Sequence, residues 1–155
     1  MYNGIFSVIG EAIVASGAGP LIELQVPSGT QIEIIRMWIG AAEGDVPVDE
    51  IQEVYIYGND APTTGGAALI EQEIRGAADA TALTVAIQGG SQGATPVTLY
   101  RDGFHTQIGW LYLPVDDERI RVVGGSAIDN IGLGFPVAPD TTLTISGGIT
   151  WGELG

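Results

Sequence analysis

The sequence predicts an all-β fold: a jelly-roll-like antiparallel β-sandwich with little or no helix. Three observations predict it. Glycine and proline, 24 and 8 of the 155 residues, punctuate the chain at short intervals. Between them lie runs rich in Ile, Val, Thr, Leu and aromatic residues, the pattern of short strands joined by tight turns. No heptad pattern and no repeat of fixed period competes with that reading. One domain, residues 1–155, is the natural count at this length, and it can bury a core without covalent staples.

The first expected strand is Ile5–Val14, within an N-terminal strand or arm of about residues 1–16. This stretch superficially resembles a secretory leader. It has no basic n-region, and Glu11 interrupts the apolar run, so a strand is the preferred reading. Pro20–Val26 comes next. In Gln31–Ile39, Ile32 and Ile34 share one phase, whereas Ile35, Met37 and Ile39 share the other. A switch in mid-strand implies a bulge or burial on both faces. Val54–Gly58 follows.

Ala68–Ile74 is the one place where a helix competes, because Leu69, Ile70, Glu73 and Ile74 have i, i+4 spacing. Gly65-Gly66 and Gly76 bracket it too tightly, which favours a strand or irregular structure. Ala82–Ile87, Val97–Tyr100 and Thr106–Leu113 are the next expected strands, with a turn at Asp102-Gly103-Phe104. Arg119–Val123 and Asn130–Phe135 precede the last, Thr142–Trp151. There Leu143, Ile145, Ile149 and Trp151 alternate with Thr142, Thr144, Ser146 and Thr150, a strand packed on one side only. Asn59–Gly66 and Gly89–Ala94 read as flexible loops.

Charge bounds the function. Lysine and cysteine are absent, five arginines face nineteen carboxylates, and the formal charge is −14. Only 15% of residues are charged and 45% are apolar, against roughly 25% charged in ordinary soluble domains. Too few ionic side chains remain to cover a monomer, and an under-dressed surface of this kind is usually covered by something else. Nucleic acid is disfavoured as a partner, because binding it requires basic groups to neutralise phosphates. Anionic lipid is disfavoured for the same reason, and no transmembrane helix is expected. The missing thiols exclude disulfides and thiolate metal sites but leave the compartment open.

Chemistry is poorly represented. His105 is the single histidine. Gly90-Ser91-Gln92-Gly93 and Ser146-Gly147-Gly148 read as turns, not as a strand-to-helix nucleophile elbow, so a Ser-His-acid triad has no foothold. One imidazole cannot supply a cupin-type metal site. Asp45, Asp49 and Glu50, and then Asp116-Asp117-Glu118, offer the oxygen ligands calcium prefers. Neither has the Asp-x-Asp-x-Asp-Gly pattern, and a solvated acidic turn beside Arg119 or Arg121 explains each. Trp38, Trp110, Trp151, Tyr55, Tyr57, Tyr100 and Tyr112 could line a sugar cleft, but most lie in strands with apolar neighbours. The expectation is therefore a non-enzyme with no catalytic, cofactor-binding or metal-binding residue.

Three segments carry a resemblance. They are Val26–Gly40 (VPSGTQIEIIRMWIG), Gly109–Ile120 (GWLYLPVDDERI) and Pro136–Leu154 (PVAPDTTLTISGGITWGEL). Together they resemble small β-rich proteins encoded among the structural genes of tailed bacteriophages, in particular capsid decoration (cement) proteins of jelly-roll type. The resemblance spans most of Pro20–Leu154 and consists of packing patterns, so it transfers no functional residue. It implies a homotrimer on the virion exterior, bound to the major capsid protein and bridging capsomers.

The segments expected to make contact are the first strand, with Tyr2, Ile5 and Phe6, and two weakly charged loops, with Pro62, Thr63, Thr64, Ser91 and Gln92. With no lysine to guard strand edges, guarding is expected from prolines (Pro27, Pro114, Pro136, Pro139), inward carboxylates or neighbouring subunits, with neighbours favoured. Two rival expectations remain: a carbohydrate-binding β-sandwich displaying exposed aromatics, and a jelly-roll shell protein that self-assembles.

Overall fold

The computed structural model describes residues 2–41, 50–76, 82, 84–93 and 95–154. Among the described residues, twelve strands form two six-stranded antiparallel sheets. They are β1 (Tyr2–Ala15), β2 (Gly19–Gln25), β3 (Gln31–Ala41), β4 (Ile51–Asn59), β5 (Ala67–Ala68), β6 (Gln72–Gly76), β7 (Val85–Gln88), β8 (Val97–His105), β9 (Trp110–Tyr112), β10 (Arg121–Val123), β11 (Asn130–Phe135) and β12 (Leu143–Leu154). The helical content of the described residues is a single 3₁₀ turn, Asp116–Glu118.

The first sheet runs β10-β3-β12-β1-β6, with β9 also on β3; the second runs β5-β7-β2-β11-β4-β8. The pairs nest: β1 with β12, β2 with β11, β3 with β9 and β10, and β4 with β8. One long hairpin has been rolled so that its strand pairs alternate between sheets. That is the jelly roll. The segment β5–β7 is an addition that extends both sheets past β1 and β2.

The core lies between the sheets and follows the alternation. Ile32, Ile34, Met37 and Ile39 of β3 point inward, with Ile149 and Trp151 of β12, Phe6 and Val8 of β1, Ile22 and Leu24 of β2, and Ile131, Leu133 and Phe135 of β11. Phe6 packs on Trp151 at a centroid separation of 5.9 Å. The phase switch in β3 is a bulge. Trp151 pairs with Ile34 and Thr150 with Arg36, so Ile35 is the extra residue and the inward series resumes at Met37. A second bulge, between Gly10 and Ile13 of β1, holds Ala12 at φ 51°.

Several boundaries differ from expectation. Ala68–Ile74 is divided into β5 and β6, which join different sheets; Ile70, 84% exposed, lies in the crossing between them. Asp102-Gly103-Phe104 is strand, not turn, because β8 pairs with β4 as far as His105. The turn comes later, where Ile108 and Gly109 donate their N–H groups to the His105 carbonyl and Gly109 takes φ 85°. That shortens the expected Thr106–Leu113 strand to Trp110–Tyr112.

Candidate assembly surfaces

Loops expected to be flexible are anchored. Glu23 sits on the outer side of the second sheet, with its neighbours Ile22 and Leu24 in the core, yet it is 0% exposed. Its carboxylate accepts hydrogen bonds from Tyr57 Oη at 2.8 Å, Thr63 N at 2.7 Å and Thr63 Oγ1 at 2.7 Å. Gln25 Nε2 donates to the Thr63 carbonyl. Thr64 and Ser91 then form a two-bond bridge that joins the second loop to the first. Tyr55 Oη donates to Gln92 Oε1 at 3.0 Å. Burial, and then the Glu23 charge, push the Tyr57 phenol far above its ordinary value, so it stays a donor.

The residues predicted for contact therefore fall in three places. Pro62, Thr64 and Ser91 are exposed and come together over the second sheet, with Gln92 partly covered beside them. Thr63 is buried as the anchor, and Phe6 is core, 2% exposed; neither offers a surface, because inward or anchoring contacts consume them. Tyr2 and Ile5 lie on the opposite side, on the outer face of the first sheet. β1 is an interior strand between β12 and β6, not a free arm. Tyr2 Oη donates to Glu33 Oε2 at 2.5 Å and accepts from Arg119 Nη1 at 2.8 Å. Arg121 Nε donates to Glu33 Oε1 at 2.5 Å, and Arg119 also pairs with Asp116. The Tyr2 hydrogen bond, opposed by burial and aided by Arg121 and Arg119, holds the Glu33 carboxyl below the usual carboxylate range.

The outer face of the first sheet was not legible as a unit in the sequence. The registers align it in rows. Arg75, Ile5, Gly152, Glu33 and Arg121 form one; Gln72, Ser7, Thr150 and Arg36 the next; Ile9, Gly148, Trp38 and Leu111 a third; Ser146 and Gly40 a fourth. The relief is low. Trp38 lies across Gly148, where an added Cβ would come within 2.4 Å of Nε1, and Tyr2 lies across Gly152. Ile9 and Leu111 are 51% and 58% exposed. The signal that could have found this face is the Arg36-x-Trp38 alternation opposite Gly147-Gly148.

At the open edge between β8 and β9, Tyr100, Trp110 and Tyr112 pack on one another with centroid separations of 5.1–6.4 Å. Trp110 Nε1 donates to Asp102 Oδ2 at 3.2 Å. Asp102 pairs with inward-facing Val54 yet is exposed, so it puts a carboxylate on an edge strand, where charge guards against edge pairing. A register shift between Ile56 and Tyr57 adds a second guard.

The described residues contain no group of three or more His, Asp or Glu placed to hold a metal ion. Asp45 and Asp49 lie outside the described residues; Asp116–Glu118 is an exposed 3₁₀ turn. His105 Nδ1 accepts from Gln107 N at the end of β8. A groove of about 610 Å³ between the 18–20 turn and residues 90–92 and 95–96 is lined by Tyr55, Gln92, Phe135 and prolines and, among the described residues, by no charged side chain. No described helix is long and apolar enough to cross a membrane. No family model matches the chain, and neither a curated protein nor a solved structure matches it.

Proposed function

We propose that this chain is a virion structural protein, a decoration or cement protein that binds the outside of a phage head as a homotrimer and bridges capsomers of the major capsid protein. The observation that carries the reading is a jelly roll with sparsely charged outer surfaces. Ile9, Ile51, Ile108, Leu111, Leu113 and Val115 are each at least half exposed, on a chain with only 15% charged residues. Exposed apolar area on this scale marks contact surfaces. The mechanism is additive: contacts of roughly 1,600 Å² each, repeated over a shell, resist internal pressure without chemistry. The sugar-binding alternative has less support, since Trp151 is interior and Trp110 is 8% exposed and packed against Tyr112.

The test is to image intact particles that carry this chain and compare their heat resistance with particles lacking it. The expected result is density for the sandwich on the outer surface and release of DNA at lower temperature in its absence. Density confined to a tail tip, or no density, refutes the reading. Large particles formed by the isolated chain would instead identify a shell-building jelly roll.

A further inference from the structure

Resting on that assembly reading, we infer that the outer face of the β6-β1-β12-β3 sheet receives the acidic side of a second copy of this chain, in a head-to-tail contact. The first argument is charge. The outward rows carry Arg36, Arg75 and Arg121 against Glu33, which is 6% exposed and already paired with Arg121, and Glu11, exposed in the bulge opposite Ser146. Arg36 and Arg75 are exposed and make no ion pair with a described residue. This face is net positive on a chain of formal charge −14, so everything else is more acidic than the total.

The second argument is composition and size. Interface cores are enriched in Arg, Trp and Tyr and depleted in Lys, Asp and Glu, and this face displays Arg36, Trp38 and Tyr2 among Ser and Thr. The fifteen row positions, each about 4.8 Å by 6.8 Å, span on the order of 500 Å². That is more than half of the roughly 800 Å² per partner of a standard interface. The third argument is symmetry. A two-fold contact of this face with itself would set guanidiniums against guanidiniums. The complementary surface is elsewhere on the same chain, so the contact is heterologous, the kind that closes cyclic rings.

The experiment measures the mass of the isolated protein by sedimentation at up to about 100 µM, for wild type, for Arg36→Glu/Arg75→Glu and for Arg101→Glu. Arg101 is exposed on β8 of the other sheet and serves as the charge control; circular dichroism checks that each variant is folded. The expected result is an oligomeric wild type, association weakened at least tenfold by the double reversal, and no such loss for Arg101→Glu. An oligomer indifferent to the double reversal overturns the face assignment and leaves the assembly reading standing. Equal weakening by Arg101→Glu also overturns it, because net charge alone would then explain the effect. A monomeric wild type overturns both.

Discussion

Glu23 has no contact with solvent and no described cation beside it; its charge is held by a phenol, a hydroxyl and a backbone N–H. Hydrogen bonds to a buried charged group contribute about 1.5–3 kcal/mol each, and leaving a donor unmet costs about as much again. Glu23→Gln should therefore lower stability by about 1–3 kcal/mol in urea unfolding and speed amide exchange at Thr63. An unchanged Thr63 exchange rate would mean that the loop is held by something else. Glu33 gives a pH dependence with a definite sign. Its folded-state pKa lies below the unfolded value of about 4.3. Its stabilisation is therefore complete above that value and is lost as pH falls through the folded pKa. Urea midpoints between pH 6 and pH 3 should fall for wild type and fall less steeply for Glu33→Gln, which is the less stable of the two at pH 7.

At the scale of the element, β11 shows what sequence patterning can and cannot reveal. Its bounds, Asn130–Phe135, were legible because Ile131, Leu133 and Phe135 alternate with glycine and asparagine. The reason for the glycines was not. An added Cβ at Gly132 would lie 2.3 Å from the Tyr57 ring, and one at Gly134 would lie 2.6 Å from the Gly19 carbonyl. Gly132 lets Tyr57 lie across the strand and reach Glu23, and Gly134 makes room for Tyr55 and the Gly19 carbonyl. Gly132→Ala should destabilise by about 1–3 kcal/mol, with loss of Thr63 amide protection as a second readout. A neutral result would show that Tyr57 can move without cost. In β3, the Ile34-Ile35 phase change was enough to infer a bulge, because a strand with a packed face cannot change phase without an extra residue. In β8 the Asp102-Gly103 pair looked like a turn. Local propensity was overridden by pairing with β4, a contact about fifty residues away in sequence that no short window contains.

At the scale of the whole molecule, the first strand pairs with the last, Tyr2 with Leu154, and β12 separates β1 from β3. Removing β12 therefore opens the centre of a sheet and strips Ile149 and Trp151 from the core. A chain ending at Thr141 should lack a cooperative thermal transition in circular dichroism; a sharp transition would show that the remaining sheet closes by itself. The nested pairing also makes most contacts non-local, so refolding is expected on the millisecond-to-second scale or slower.

Composition and alternation by themselves determined the all-β class, the main strand segments, the inward series Leu143, Ile145, Ile149 and Trp151 of β12 (though not the burial of both its faces from Gly147 to Glu153) and a surface poor in charge. Each of these depends on short-range periodicity or on totals, which the chain carries locally. Only the tertiary structure decided the nested order of the strands, the anchoring of the two loops by Glu23 and the collection of Arg36, Arg75, Arg121 and Trp38 on one outer face. Those features require residues from distant strands to meet in register, and register is set by how two sheets close over a shared core.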